Sequence, residues 1–155
     1  MMRFIAVVVF FVLGLAGSAA MRAQSDPFIG TWKLNLEKSK FDPGPPLKSE
    51  TRIHKPGEAH IQRVNGDGTT QAYDYKIKYD GKDYPITGQG PNGADALAAK
   101  SIDPNTVQAT LKKSGKVLFT NRAVVSKNGK VMTFTAKGVN ASGKPFNNVQ
   151  VYDKQ

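Results

Sequence analysis

His54 and His60 are the two histidines of the chain, and they flank the turn segment Lys55-Pro56-Gly57-Glu58-Ala59. Imidazole is the usual neutral-pH base and metal ligand, so the placement of this pair bears on most of the chemistry open to the protein. With a three-residue loop the two rings stand opposite each other and can share a metal. With a two-residue loop they point to opposite faces, because one residue of slip reverses every side chain. No third ligand follows at a matching spacing, whereas structural zinc normally takes four. No metal site is expected, and both residues read as surface histidines.

Hydrolytic chemistry needs a nucleophile, a base and an orienting acid. Both bases sit beside one turn, and no serine lies in a Gly-x-Ser-x-Gly elbow. The acids Asp67, Asp80, Asp83, Asp103 and Asp153 are next to turns, and Asp74 and Asp80 fall on the polar side of a strand, where solvation accounts for them. The run Gly88-Gln89-Gly90-Pro91-Asn92-Gly93 lacks the Lys-Ser/Thr ending of a phosphate cradle and is interrupted by Pro91, so it reads as a rim loop. The expectation is a protein with no enzymatic activity, no catalytic residues and no cofactor.

Tyr73, Tyr75 and Tyr79 are the remaining chemical group. With Ile77 they alternate against Asp74, Lys76, Lys78 and Asp80. If they face inward, they either fill a barrel or form a wall for a flat or amphipathic ligand. The residues themselves leave both readings open.

The elements that would carry these groups are strands. Asn65-Gly66-Asp67-Gly68, Asp80-Gly81, Ser114-Gly115, Asn128-Gly129 and Ser142-Gly143 are turn sequences of the hairpin type. Gly115, Gly129 and Gly143 are spaced evenly, as in a meander of strands nine or ten residues long. Strands are predicted at 28–37, 48–55, 59–65, 70–80, 82–87, 98–103, 105–113, 116–126, 130–138 and 146–154. The Ala-rich stretch 93–100 is the one short helical candidate. Several strands are of mixed polarity on both faces. Leu118, Thr120, Arg122 and Val124 share one face, and Phe119, Asn121, Ala123 and Val125 the other. Phe146, Asn148, Gln150 and Tyr152 also share a face. Such mixing suits a barrel whose lumen holds polar side chains, water or a ligand. The expected fold is all-β, an antiparallel up-and-down barrel of about eight to ten strands.

Residues 1–23 read as a secretory signal peptide. Arg3 supplies the charged start, Phe4 to Leu15 the apolar run, and Ser18-Ala19-Ala20 the small residues at a cleavage site. The run falls short of the roughly 20 residues of a membrane span. Cleavage after Ala20 or Ala23 is expected, leaving residues 24–155 as one domain, exported to the periplasm or beyond the cell. There is no cysteine, so neither a disulfide nor a lipid anchor is available. Without Arg3 and Arg22 the remaining chain has 20 basic and 12 acidic residues, a net +8. Charge of that sign attracts polyanions, but many lysines sit beside turn glycines, where they confer solubility and protect strand ends. No nucleic-acid partner and no lasting membrane anchor are expected, and the domain is expected to be a monomer.

The opening Gly30-Thr31-Trp32-Lys33-Leu34, with Phe41-Asp42 a few residues on, resembles the start of intracellular fatty-acid-binding proteins, and Gly-x-Trp also opens lipocalins. Val151-Tyr152-Asp153-Lys154-Gln155 resembles the terminal strand of the same calycin superfamily. Over its whole length after residue 23, the chain is similar to a group of exported bacterial proteins of no assigned activity. They carry a GTWKLN opening, a middle like Tyr79–Pro85 and an end like Val151–Gln155. The calycin resemblance implies a barrel closed by its first and last strands, with Trp32 plugging one end and a small apolar or amphipathic ligand inside. A buried indole needs a partner for its N–H or a cation on its face, and Arg122 and Lys154 are the candidates. Two features depart from the fatty-acid-binding pattern. Phe41-Asp42-Pro43-Gly44-Pro45-Pro46 leaves no room for a helical lid, and Gln150-Val151-Tyr152 stands where Arg-x-Tyr grips a carboxylate. A carboxylate headgroup would need Arg122 or Arg63 instead. The lumen candidates are Trp32, Tyr73, Tyr75, Arg122, Gln150 and Tyr152. The expected function is a lipocalin-like carrier. The alternative is a cell-envelope structural or interaction module with a filled barrel and a basic surface.

Overall fold

Turn chemistry divides the chain into ten strands in the computed structural model, which describes residues 26–140 and 142–155. They are β1 (Gly30–Lys40), β2 (Ser49–Lys55), β3 (Glu58–Val64), β4 (Thr70–Lys76), β5 (Asp80–Gly88), β6 (Ala96–Asp103), β7 (Thr106–Lys113), β8 (Lys116–Val125), β9 (Val131–Val139) and β10 (Pro145–Lys154). Each strand pairs antiparallel with its neighbour in sequence, and β1 pairs with β10, so the sheet closes on itself as a ten-strand up-and-down barrel. Closure satisfies the backbone edges that an open sheet would leave free. The predicted signal peptide lies outside the described residues. No helix among the described residues is long and apolar enough to cross a membrane.

The turns act through local hydrogen bonds. Ser114 and Gly115 both have positive φ, the two-residue geometry whose twist matches the flanking strands. Asn128 accepts from the Lys130 amide, and Asn140 accepts from the amides of Ser142 and Lys144, each side chain standing in for a turn carbonyl. One expectation is corrected. The stretch 93–100 is not helical: a 3-10 turn over Pro91–Gly93 leads into β6, whose Leu97 and Ala99 are buried against β7. Asp80-Gly81 lies at the middle of the β4–β5 reversal, where Gly81 has φ +74° and Asp80 accepts from the Lys82 amide, although Asp80 also begins β5 by pairing with Lys100. Here β4 and β5 pair only from Tyr73 to Tyr75, and Asp80 to Pro85 pair with β6 alone.

One end of the barrel is packed solid. Leu34 opposes Tyr152, Tyr152 opposes Met132, and Met132 opposes Val125. With Trp32, which like Tyr152, Met132 and Val125 is almost completely buried, they form a packed apolar group. The Trp32 indole N–H donates to the Phe28 carbonyl at 2.8 Å, and Lys154 Nζ lies 5.0 Å from the ring centroid. Both devices expected for a buried indole are therefore present, with Lys154 and not Arg122 as the cation. β1 bulges after Asn35, where the Ser39 hydroxyl donates to the Asn35 carbonyl and accepts from the Val151 amide. The bulge leaves Leu36 exposed although Trp32 and Leu34 alternate inward.

Candidate functional site

Directly opposed residues on antiparallel strands share a face, so the register identifies the lumen. On one wall Glu50 opposes Arg63; Arg52 opposes Ile61, which opposes Tyr73; and His54 opposes Ala59, which opposes Tyr75. The other wall sets small residues among larger ones such as Leu97, Leu111, Phe119 and Phe134. Ala99, Ala109, Asn121, Ala136 and Asn148 form a continuous row across β6 to β10. The next row is Ser101, Val107, Ala123, Phe134 and Gln150. The row of alanines leaves volume unfilled between the two walls, a cavity of about 700 Å³. It reaches the loops at the end opposite Trp32, where Phe41, Pro45, Leu47, Asn65, Asn92 and Lys113 line it. The Pro-rich crossing thus contributes to the rim of the cavity.

A buried ionic cluster lies within this apolar surround. Glu50 is 2% exposed. Its Oε1 accepts from Arg52 and from the Tyr152 hydroxyl at 2.7 Å, and its Oε2 lies 3.7 Å from Arg63. Arg52 also donates to the Tyr75 hydroxyl at 3.2 Å and stacks 4.5 Å above the Phe134 ring centroid. Burial by itself disfavours the Arg52 charge, but the surrounding Tyr75 and Glu50 oxygens outweigh it and hold the guanidinium well above its ordinary pKa. Arg63 donates to Gln71 at 2.8 Å and lies over Tyr73. Burial, with Glu50 nearby, raises the Tyr73 phenol to about 12 and lifts Tyr152 well above its usual value, so both remain protonated donors. Two guanidinium groups against one carboxylate leave the cluster net positive. Glu50 Oε2 and Arg52 Nε have no hydrogen-bond partner.

The sequence-predicted residues divide into three groups. Tyr73, Tyr75 and Gln150 line the cavity. Trp32 and Tyr152 are fully buried but belong to the packed end and do not line it, with Tyr152 reaching the site through its bond to Glu50 and its ring against Phe134 and Arg52. Arg122 is not in the lumen. It is exposed on the outer face of β8, because Phe119, Asn121, Ala123 and Val125 are the residues that turn inward. Arg63, the other candidate cation, does line the cavity.

The reading of two surface histidines is also corrected. The β2–β3 turn has two residues, since Lys55 opposes Glu58 and His54 opposes Ala59. His60 is on the outside, 2.7 Å from Asp74, whereas His54 is 5% exposed and lines the cavity. Burial and then the Arg52 charge push its pKa down to about 3. Glu50, Arg52 and His54 are the residues that reading by type missed. The signal that finds them is the Pro56-Gly57 turn, which sets His54 opposite Ala59 and hence on the same face as Ile61 and Tyr73.

Among the described residues no three His, Asp or Glu side chains converge as metal ligands would. No protein-family model matches the chain, and no curated protein matches it.

Proposed function

We propose that the protein is an exported, calycin-like carrier that binds a small amphipathic or apolar molecule inside the barrel. The observation that carries this reading is the 700 Å³ cavity, which lies in the size range of ligand sites. Its lining has the character such sites share, an apolar and aromatic surface with a few converging polar groups. The closing pair of first and last strands and the Trp32 plug support the calycin-like part of the reading. A barrel acting only through its outer surface would gain stability by filling the lumen. Four inward alanines on β6 to β9 instead leave room there.

The test is titration with N-phenyl-1-naphthylamine, a neutral apolar fluorophore, on wild type and on Ala109→Phe, which places a ring in the cavity. A saturable rise in fluorescence for wild type, lost or weakened at least tenfold in the folded variant, is expected. A folded wild-type protein giving no saturable rise would sink the carrier reading.

A further inference from the structure

We propose that His54 is the inner polar subsite of the lumen, and that it takes an uncharged hydroxyl group of the bound molecule; this rests on the carrier reading and names the chemistry of its ligand. The ring lines the cavity and is almost wholly buried, yet neither Nδ1 nor Nε2 has a well-formed hydrogen-bond partner; the Phe28 backbone comes near enough to favour the protonated ring, and burial outweighs it. Leaving a buried polar group unpaired is costly, so such a group calls for a reason. The Pro56-Gly57 turn holds His54 inward by register, so the orientation is set by the fold.

The other polar groups around it each have a partner. The Tyr75 hydroxyl accepts from Arg52, and the Tyr79 hydroxyl donates to Asp26 at 3.1 Å. The Trp32 N–H is given to the Phe28 carbonyl. Phe28 and Ile77 complete an apolar and aromatic surround. Even with one ring nitrogen directed at the Phe28 backbone, the other offers free hydrogen-bonding capacity in a greasy recess. A neutral imidazole presents one donor and one acceptor, and a hydroxyl complements either nitrogen whichever tautomer is present. A cationic group would face Arg52. An anion would be drawn to the net positive cluster of Arg52, Arg63 and Glu50, whose Arg52 Nε is unpartnered, and would leave the uncharged imidazole to a neutral group.

Displacement of N-phenyl-1-naphthylamine by decan-1-ol, 1-chlorodecane and decanoic acid tests this on wild type, His54→Phe and His54→Gln. The alcohol-to-chloride affinity ratio is expected to fall about three- to tenfold in His54→Phe, the worth of one hydrogen bond, and to be largely kept in His54→Gln. The melting temperature of His54→Phe should match or exceed that of wild type, since an unpaired polar group is removed. An unchanged ratio overturns the subsite. A loss of decanoic acid affinity in His54→Phe as large as that of the alcohol overturns its restriction to uncharged groups. If the fluorophore fails to bind folded wild type, the carrier reading falls and the subsite with it. If the fluorophore binds and only the ratio is unchanged, the subsite alone falls.

Discussion

Gly30 and Lys154 compete for one volume: a Cβ at position 30 would lie 2.5 Å from Lys154 Cε. The missing side chain lets the lysine stem cross β1 and bring its ammonium over Trp32. Gly30 also has φ +138°, a region that other residues rarely adopt. The Gly-x-Trp opening thus has a physical meaning at both positions. Gly30→Ala is expected to destabilise the barrel by about 1–3 kcal/mol, from backbone strain and the displaced lysine. Urea unfolding measures the loss, and an altered Trp32 emission spectrum in the folded variant reports the displacement.

Glu50 and Arg52 form a buried pair whose separate and joint removal should differ. Arg52→Met leaves the carboxylate without its main partner and is expected to cost about 3–5 kcal/mol. Glu50→Leu combined with Arg52→Met removes both charges and should recover much of that loss. Chemical denaturation of the two single variants and the double variant gives the coupling. Additive losses would mean that the pair is not the energetic unit described above.

His54 makes stability depend on pH in a defined window. Its pKa is lowered from 6.5 to about 3 on folding, so the unfolded chain binds the proton more readily. The contribution is complete above about pH 6.5 and is lost as the pH falls towards 3. Between pH 7 and pH 5 the site should account for about 2 kcal/mol of lost stability. The groups acting on the ring are Arg52 on its own strand, which disfavours its charge, and the Phe28 backbone, which favours it. Denaturation of wild type and His54→Phe at both pH values should show a wild-type decrease that is larger by that amount. Equal decreases would contradict a buried neutral imidazole.

Arg122 is the control. It is exposed on β8, and Arg122→Ala should change stability by no more than about 0.5 kcal/mol. Fluorophore binding should also be unaffected. A marked loss of binding would place the functional surface on the outside of the barrel.

The strands were legible in the sequence because their signals are local. Alternation at Tyr73 and Tyr75, the evenly spaced glycines of the last hairpins and the asparagine turns all act within a few residues. All ten strands were predicted close to their observed places. The stretch 93–100 was misread because alanine favours helices, while pairing with β7 buries Leu97 and Ala99 in a sheet. The site was less legible. On β2 the residue types alone would turn Ile53 inward and Glu50, Arg52 and His54 outward, and the opposite is observed.

By itself, then, the sequence determined an all-β chain of about ten strands, its turns, and Trp32 as a buried residue needing a partner. Tertiary structure decided which face of each strand became the lumen. Period-2 alternation defines two faces without saying which is inside, and that choice depends on the register of partners far away in the chain. Closure of β1 on β10 links all ten registers. It placed Arg122 outside, brought Arg52 and His54 inside, and set the alanines of β6 to β9 opposite the charged wall.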